Sequence, residues 1–308
     1  MKPTRLLVAT ASAVALHSAS PTLAQDEAVA HPAESEAAAE AGAPALWLVA
    51  DEDTNIYLFG TVHKLPGNID WNSGPVEQAL NSSDELVTEI DMTPESLGQI
   101  SVAMREKGML PEGQTLRGLM TEEQRATFEA GIGKLGLPAN AFDKLEPWLA
   151  ALTILQITLS ASGFEEDSGV EKVLEATVPD DTKRVALEAI DFQISIFDEL
   201  PVEQQILFLL EGAENPVESI GMLNQLVDVW ASGKVDELGS MMNEALLAHP
   251  NLAERMLYSR NANWAAWIDE RLDRPGVVFL AAGAGHFAGE KSVQDYLAER
   301  GIETKRVQ

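Results

Sequence analysis

The chain of 308 residues contains no cysteine. This leaves neither a disulfide framework nor a cysteine lipidation site, and it removes the thiol as a nucleophile. Positive charge is scarce. Lys and Arg number 21 against 49 Asp and Glu, for a formal net charge of −28. A chain this acidic is a poor partner for nucleic-acid phosphates or an anionic membrane surface, and its charge reads as a solvated, soluble exterior. No apolar run beyond the N-terminal region reaches the ~20 residues a spanning helix needs. An H-E-x-x-H helix, a G-x-S-x-G elbow, a Walker loop and a dinucleotide fingerprint are all missing. Any hydrolysis would have to be assisted by a metal or by carboxylates.

Residues of hydrophobic type make up 45% of the chain, enough for a large core. The length would suit about two domains at ~150 residues each, although α/β folds reach ~250 as one. Residues 1–24 have the build of a secretory signal: Lys2 and Arg5, the apolar run Leu6–Leu16, then Thr22-Leu23-Ala24 as a cleavage site. Export is expected, with a periplasmic destination and no integral membrane segment after cleavage. Residues 25–44 are rich in Ala and Glu, cannot bury a core and read as a disordered tether. One α/β domain is expected over 45–308.

Within it, ALWLVADEDTNIYLF reads as a β-hairpin around a polar turn. Residues 75–82 suggest a short helix, and Leu86, Val87 and Ile90 a buried strand. Thr93-Pro94 opens a helix, Thr121 and Gln124 form a capping box, and Pro147 begins a helix apolar nearly all round. Ser168 and Glu171 resemble another cap. KRVALEAI at 183–190 returns to a strand pattern. A second helical block runs from Pro201 to about Arg274, its last helix capped by Asn251 and Glu254. VVFLAAG is a continuous apolar run, as in a central strand covered on both faces. A helix over 293–300 and an edge strand in TKRVQ close the chain. The fold class expected is a mixed β-sheet in two related halves, covered by two helical blocks, with a Gly-x-x-His segment at the strand end of each half.

Those two segments, GTVH at 60–63 and GAGH at 283–286, organise the chemistry. Of five histidines, His17 falls in the leader, His31 in the tether and His249 at a helix end before Pro250. His63 and His286 remain, each after an apolar strand and a glycine that permits close backbone approach. Neutral imidazole at a rigid strand end suits a transition metal. Glu89, at its own strand end, supplies a carboxylate. Two histidines and one carboxylate form a hydrolytic set for zinc, and suit iron or manganese as well; cobalt is a further choice of divalent ion. The competing reading gives each histidine a hydrogen-bonding role in the core. Glu188 is a further ligand, a base activating water, or a salt-bridged edge residue. Asp91 ends its strand or supports Glu89. Arg260 suits an oxyanion or a substrate carboxylate, and Asn261 suits orienting a ligand; both equally fit a polar patch in a packed helix. Gln193 has no assigned role.

The segments 45–66, LVTEID at 86–91, LEAIDFQ at 187–193, RNANW at 260–264 and VFLAAGAGH at 278–286 together resemble the TraB/PrgY/GumN family, to which the Tiki metalloproteases are related. The resemblance covers roughly Ala45 to the C-terminus. It implies a metal-dependent hydrolase acting on a peptide or another amide or ester bond, or on a small-molecule substrate. The rival class is a binding module that sequesters a peptide, metal or haem-like ligand without turnover. Glu171 stands where many relatives have Asp, and the cap at Ser168 accounts for it.

Overall fold

The computed structural model describes residues 42–308 apart from residues 68, 92 and 247–249. The expected leader, all but the last three residues of the tether, and His17, His31 and His249 lie outside the described residues. Strands β1 (Leu46–Ala50) and β2 (Thr54–Thr61) form the expected antiparallel hairpin. Its turn closes because Asp51 Oδ1 accepts from the backbone N–H groups of Asp53 and Thr54 at 3.1 and 2.9 Å, an Asx-turn. Then come β3 (Leu65–Pro66), α1 (Gly74–Asn81) and β4 (Glu85–Thr88). The first helical block holds α2 (Pro94–Lys107), α3 (Glu122–Lys134) and α4 (Pro147–Ala161). β5 (Phe164–Glu165) pairs with β3, and α5 (Val170–Thr177) leads to β6 (Lys183–Ala186). The second block holds α6 (Ile190–Asp198), α7 (Val202–Glu214), α8 (Pro216–Ala231), α9 (Val235–Leu246), α10 (Pro250–Ala253), a π-helical turn (Glu254–Tyr258) and α11 (Ser259–Leu272). β7 (Gly276–Gly283), a 3₁₀ turn (Ala284–Phe287), α12 (Val293–Glu299) and β8 (Lys305–Arg306) complete the chain.

One mixed sheet runs through the molecule in the order β6-β4-β7-β2-β1-β8. The first four strands are parallel, and β1 and β8 are antiparallel to their neighbours. β7 lies at the centre, and its apolar run splits by alternation. Phe279 and Ala281 join a large cluster with residues of α4, α7 and α8, while Val278, Leu280 and Ala282 pack with Trp264, Ala265 and Ile268 of α11 and Val293 and Leu297 of α12. Each large apolar side chain buried this way contributes about 1.5–3 kcal/mol.

The parallel register fixes the site. Thr61 lies opposite Gly283, and Thr88 opposite Ala281. The carboxyl ends of β2, β4 and β7 therefore share one edge, where ligand crevices form in such sheets.

Several local expectations are corrected. Ser168 does not cap α5: Gly169 is the N-cap, and the Ser168 hydroxyl reaches Glu165 instead. A Cβ at Gly169 would strike the His63 carbonyl, so the chain needs glycine where a capping side chain would stand. Asn251 is no cap either, because α10 already begins at Pro250. The strand over 183–190 ends at Ala186 and Ile190 begins α6, leaving Glu188 in the turn between them.

Candidate functional site

His63 follows β2 by two residues. The segment is tied down by the Val170 N–H, which donates to the Val62 carbonyl at 3.0 Å and joins the start of α5 to the exit of β2. His63 Nδ1 faces Glu171 Oε1 at 2.7 Å, and the Thr61 hydroxyl donates to the same oxygen. With 26% of its side chain exposed, His63 is the outermost member of the site. Burial pulls its pKa down, but the Glu171 carboxylate outweighs that and leaves it raised. Glu171 was assigned to a cap on sequence grounds. Released from that duty, it is a partner of His63.

Glu89 stands one residue past β4. Gly283 N–H donates to its Oε1 at 2.7 Å, while Arg260 Nη2 and Gln193 Nε2 donate to Oε2 at 2.5 and 3.0 Å. Burial alone would raise the carboxyl; Arg260, His286, His63 and the Gly283 amide together hold it down at about 2. It is a carboxylate at any physiological pH.

Arg260, 2% exposed, is the hub. Nε donates to Glu188 Oε1 at 2.8 Å; Nη1 donates to Met256 O at 2.8 Å and lies 3.1 Å from His286 Nε2; Nη2 reaches Glu89 and, at 2.9 Å, Glu188 Oε2. Every N–H of the guanidinium is thus engaged. The π-helical turn just before α11 supplies the Met256 carbonyl; such turns are frequent at functional sites. Desolvation would weaken the charge, but Glu89 and Glu188 push the Arg260 pKa up.

Glu188 accepts from Arg260, from Trp264 Nε1 at 3.0 Å and from Gln193 Nε2 at 3.1 Å. Both its oxygens are therefore taken, which makes it the anchor of Arg260. Trp264 also packs against His286, ring centres 4.2 Å apart and planes tilted by 41°. Gln193 bridges the two glutamates, and its Oε1 is a buried acceptor with no hydrogen-bond partner among the described residues. Asp91 accepts from Thr93 and Ser96 at the start of α2.

His286, fully buried in the 3₁₀ turn, lies with Nε2 3.9 Å from Glu89 Oε1 and Nδ1 2.5 Å from Asn261 Oδ1. Burial first, then Arg260, depress its pKa well below the usual imidazole range.

In chemistry these donors suit a divalent metal. Glu89 is anionic, and each histidine commits Nδ1 to an oxygen of a neighbouring side chain, so that a ligand role falls to Nε2. A partner on the far nitrogen is the usual support of a metal-binding histidine. The spacing is not preformed. Among the described residues no three His, Asp or Glu side chains are placed to hold an ion together. Arg260 donates to Glu89 Oε2 and lies against His286 Nε2, the ring atom that an ion would use.

The profile of the TraB/PrgY/gumN family matches residues 45–306. An uncharacterized protein of Treponema pallidum (strain Nichols) is 21% identical over 276 residues, spanning 82% of this chain and 80% of its own. No solved structure matches.

Proposed function

This chain belongs to the TraB/PrgY/gumN family, and on that premise we propose that it is an exported, metal-dependent hydrolase of a peptide or another amide or ester bond. One observation carries the reading: two strand-end histidines and an ionised Glu89 gather at one edge of the sheet, each histidine with Nδ1 held by a side-chain oxygen. His63, Glu89 and His286 would hold the ion, which supplies Lewis-acid polarisation of the substrate carbonyl. Glu171 would fix the His63 ring through Nδ1 and raise its basicity, leaving Nε2 as the atom that meets the ion. Arg260 keeps Glu89 ionised and, when a substrate oxygen replaces one of its carboxylate contacts, offers positive charge to the developing oxyanion. Glu188, Trp264 and Gln193 hold Arg260 and Glu89 in place.

A second reading has its own observation. Arg260 is saturated by its present partners, which suits a rigid module that sequesters a peptide, metal or haem-like ligand without turnover. The two part on one experiment. Purified protein is assayed for bound zinc, manganese, cobalt and iron and screened against a broad set of peptides, beside His63→Ala, His286→Ala and Glu89→Gln with circular dichroism as the fold control. The hydrolase reading expects metal in the wild type, loss of most of it in both histidine variants, and turnover in the wild type alone. Metal without turnover anywhere supports the binding module. A wild type that takes up no divalent metal near neutral pH and cleaves nothing sinks the hydrolase.

A further inference from the structure

The proton positions on His286 follow from its neighbours. Asn261 Nδ2 donates to the Lys291 carbonyl at 2.8 Å. A backbone carbonyl only accepts, so the amide orientation of Asn261 is fixed and its oxygen faces His286 Nδ1. An amide oxygen also only accepts, so Nδ1 carries the hydrogen. On the other side a guanidinium only donates, and Arg260 Nη1 stands 3.1 Å from Nε2; Nε2 therefore keeps its lone pair. Both ends of the ring demand one neutral tautomer.

What sets this chain of bonds is Lys291. It is the one non-glycine residue with positive φ among the described residues, at 56°. A long side chain in this region costs energy and persists where the surroundings hold it, commonly at functional sites. Two contacts hold it. Its ammonium lies 4.5 Å from the centre of the Tyr258 ring, at the end of the π-helical turn, and its carbonyl receives Asn261. Ser292, next along, caps α12. The loop thus ties the turn that aims Arg260 to the residue that orients His286.

We propose that Lys291 is a positioning residue: its left-handed backbone presents the carbonyl that fixes the Asn261 amide and thereby the Nδ1–H tautomer of His286. This rests on the reading that His286 serves the site through Nε2. Without that carbonyl the amide can rotate and present its NH₂ to Nδ1, which moves the ring proton to Nε2 and against Arg260.

The test is ¹⁵N NMR of histidine-labelled full-length protein near neutral pH, with His286→Gln used to assign the signal. In the wild type, Nδ1 should resonate as a protonated and Nε2 as an unprotonated ring nitrogen. Lys291→Gly, which adopts this φ without strain, should keep that pattern. Lys291→Pro, whose ring fixes φ near −65°, should shift both signals toward the other tautomer. If Lys291→Pro does not fold, Lys291→Val, a β-branched residue disfavoured at positive φ, should show the same shift in part. A wild type protonated at Nε2, or folded Lys291→Pro or Lys291→Val proteins with the wild-type pattern, overturns the proposal. The readout needs no turnover, so a correct tautomer in a protein that hydrolyses nothing would count against the hydrolase and not against Lys291.

Discussion

Glu89 and Arg260 show why single residues matter here. A buried ion pair is weak evidence for stability as a whole, but removing one member strands the other, at a cost of about 3–5 kcal/mol. Arg260→Met should therefore lower stability by that order, as read from the urea midpoint. The pH dependence has a definite sign. The Glu89 carboxyl is depressed from 4.5 to about 2, so its contribution is complete above about 4.5 and is lost as pH falls through 2. The depressed His286 acts in the same direction from an earlier point, since its neutral folded form resists protonation below 6.5. His63, raised, acts oppositely: its contribution is present below 6.5 and lost as pH rises through its folded value. The gap in urea midpoint between wild type and Glu89→Gln should be widest near neutral pH and narrow toward pH 2. A gap that stays constant across that range would show that the Glu89 charge is not what the fold uses. Of these residues the two histidines were legible from their strand-glycine context. Glu171 was not, because its partner is set by where a loop crosses it.

At the scale of elements, the two Gly-x-x-His segments touch through their glycine. A Cβ on Gly60 would come within 2.9 Å of the Ala284 Cα, backbone that cannot move aside cheaply. Gly60→Ala should thus cost about 1–3 kcal/mol, the usual range for overpacking, and should push the 3₁₀ turn carrying His286 away from β2. Gly98, inside α2, meets nothing within 4 Å. Gly98→Ala should instead gain about 0.5–1 kcal/mol through helix propensity. Thermal or urea unfolding of the pair checks both, and equal effects would remove the argument from close approach. Capping signals were readable where a side chain stood alone with its helix, as at Thr93 and Thr121. They misled at Ser168 and Asn251, where a neighbouring segment or an earlier helix start decided the geometry.

For the molecule as a whole, we propose that the mature chain begins near Gln25, to be checked by N-terminal sequencing of envelope protein and defeated by a retained Met1. No helix among the described residues is long and apolar enough to cross a membrane. The sequence by itself determined most of the elements and the strand ends that carry the two histidines. Alternation, apolar runs, prolines and glycines are local signals, and they marked the β1–β2 hairpin, the buried α4, the doubly covered β7 and the two histidines. Tertiary structure alone decided the rest. Only the parallel pairing of β2, β4 and β7 brings Glu89 within 3.9 Å of His286. The bond from Arg260 to Glu89 joins positions 171 residues apart. Periodicity carries no information about such pairings, because a buried charge takes whichever partner the packed chain puts within reach, and that depends on strand order, the π-helical turn and the loop at Lys291 acting together.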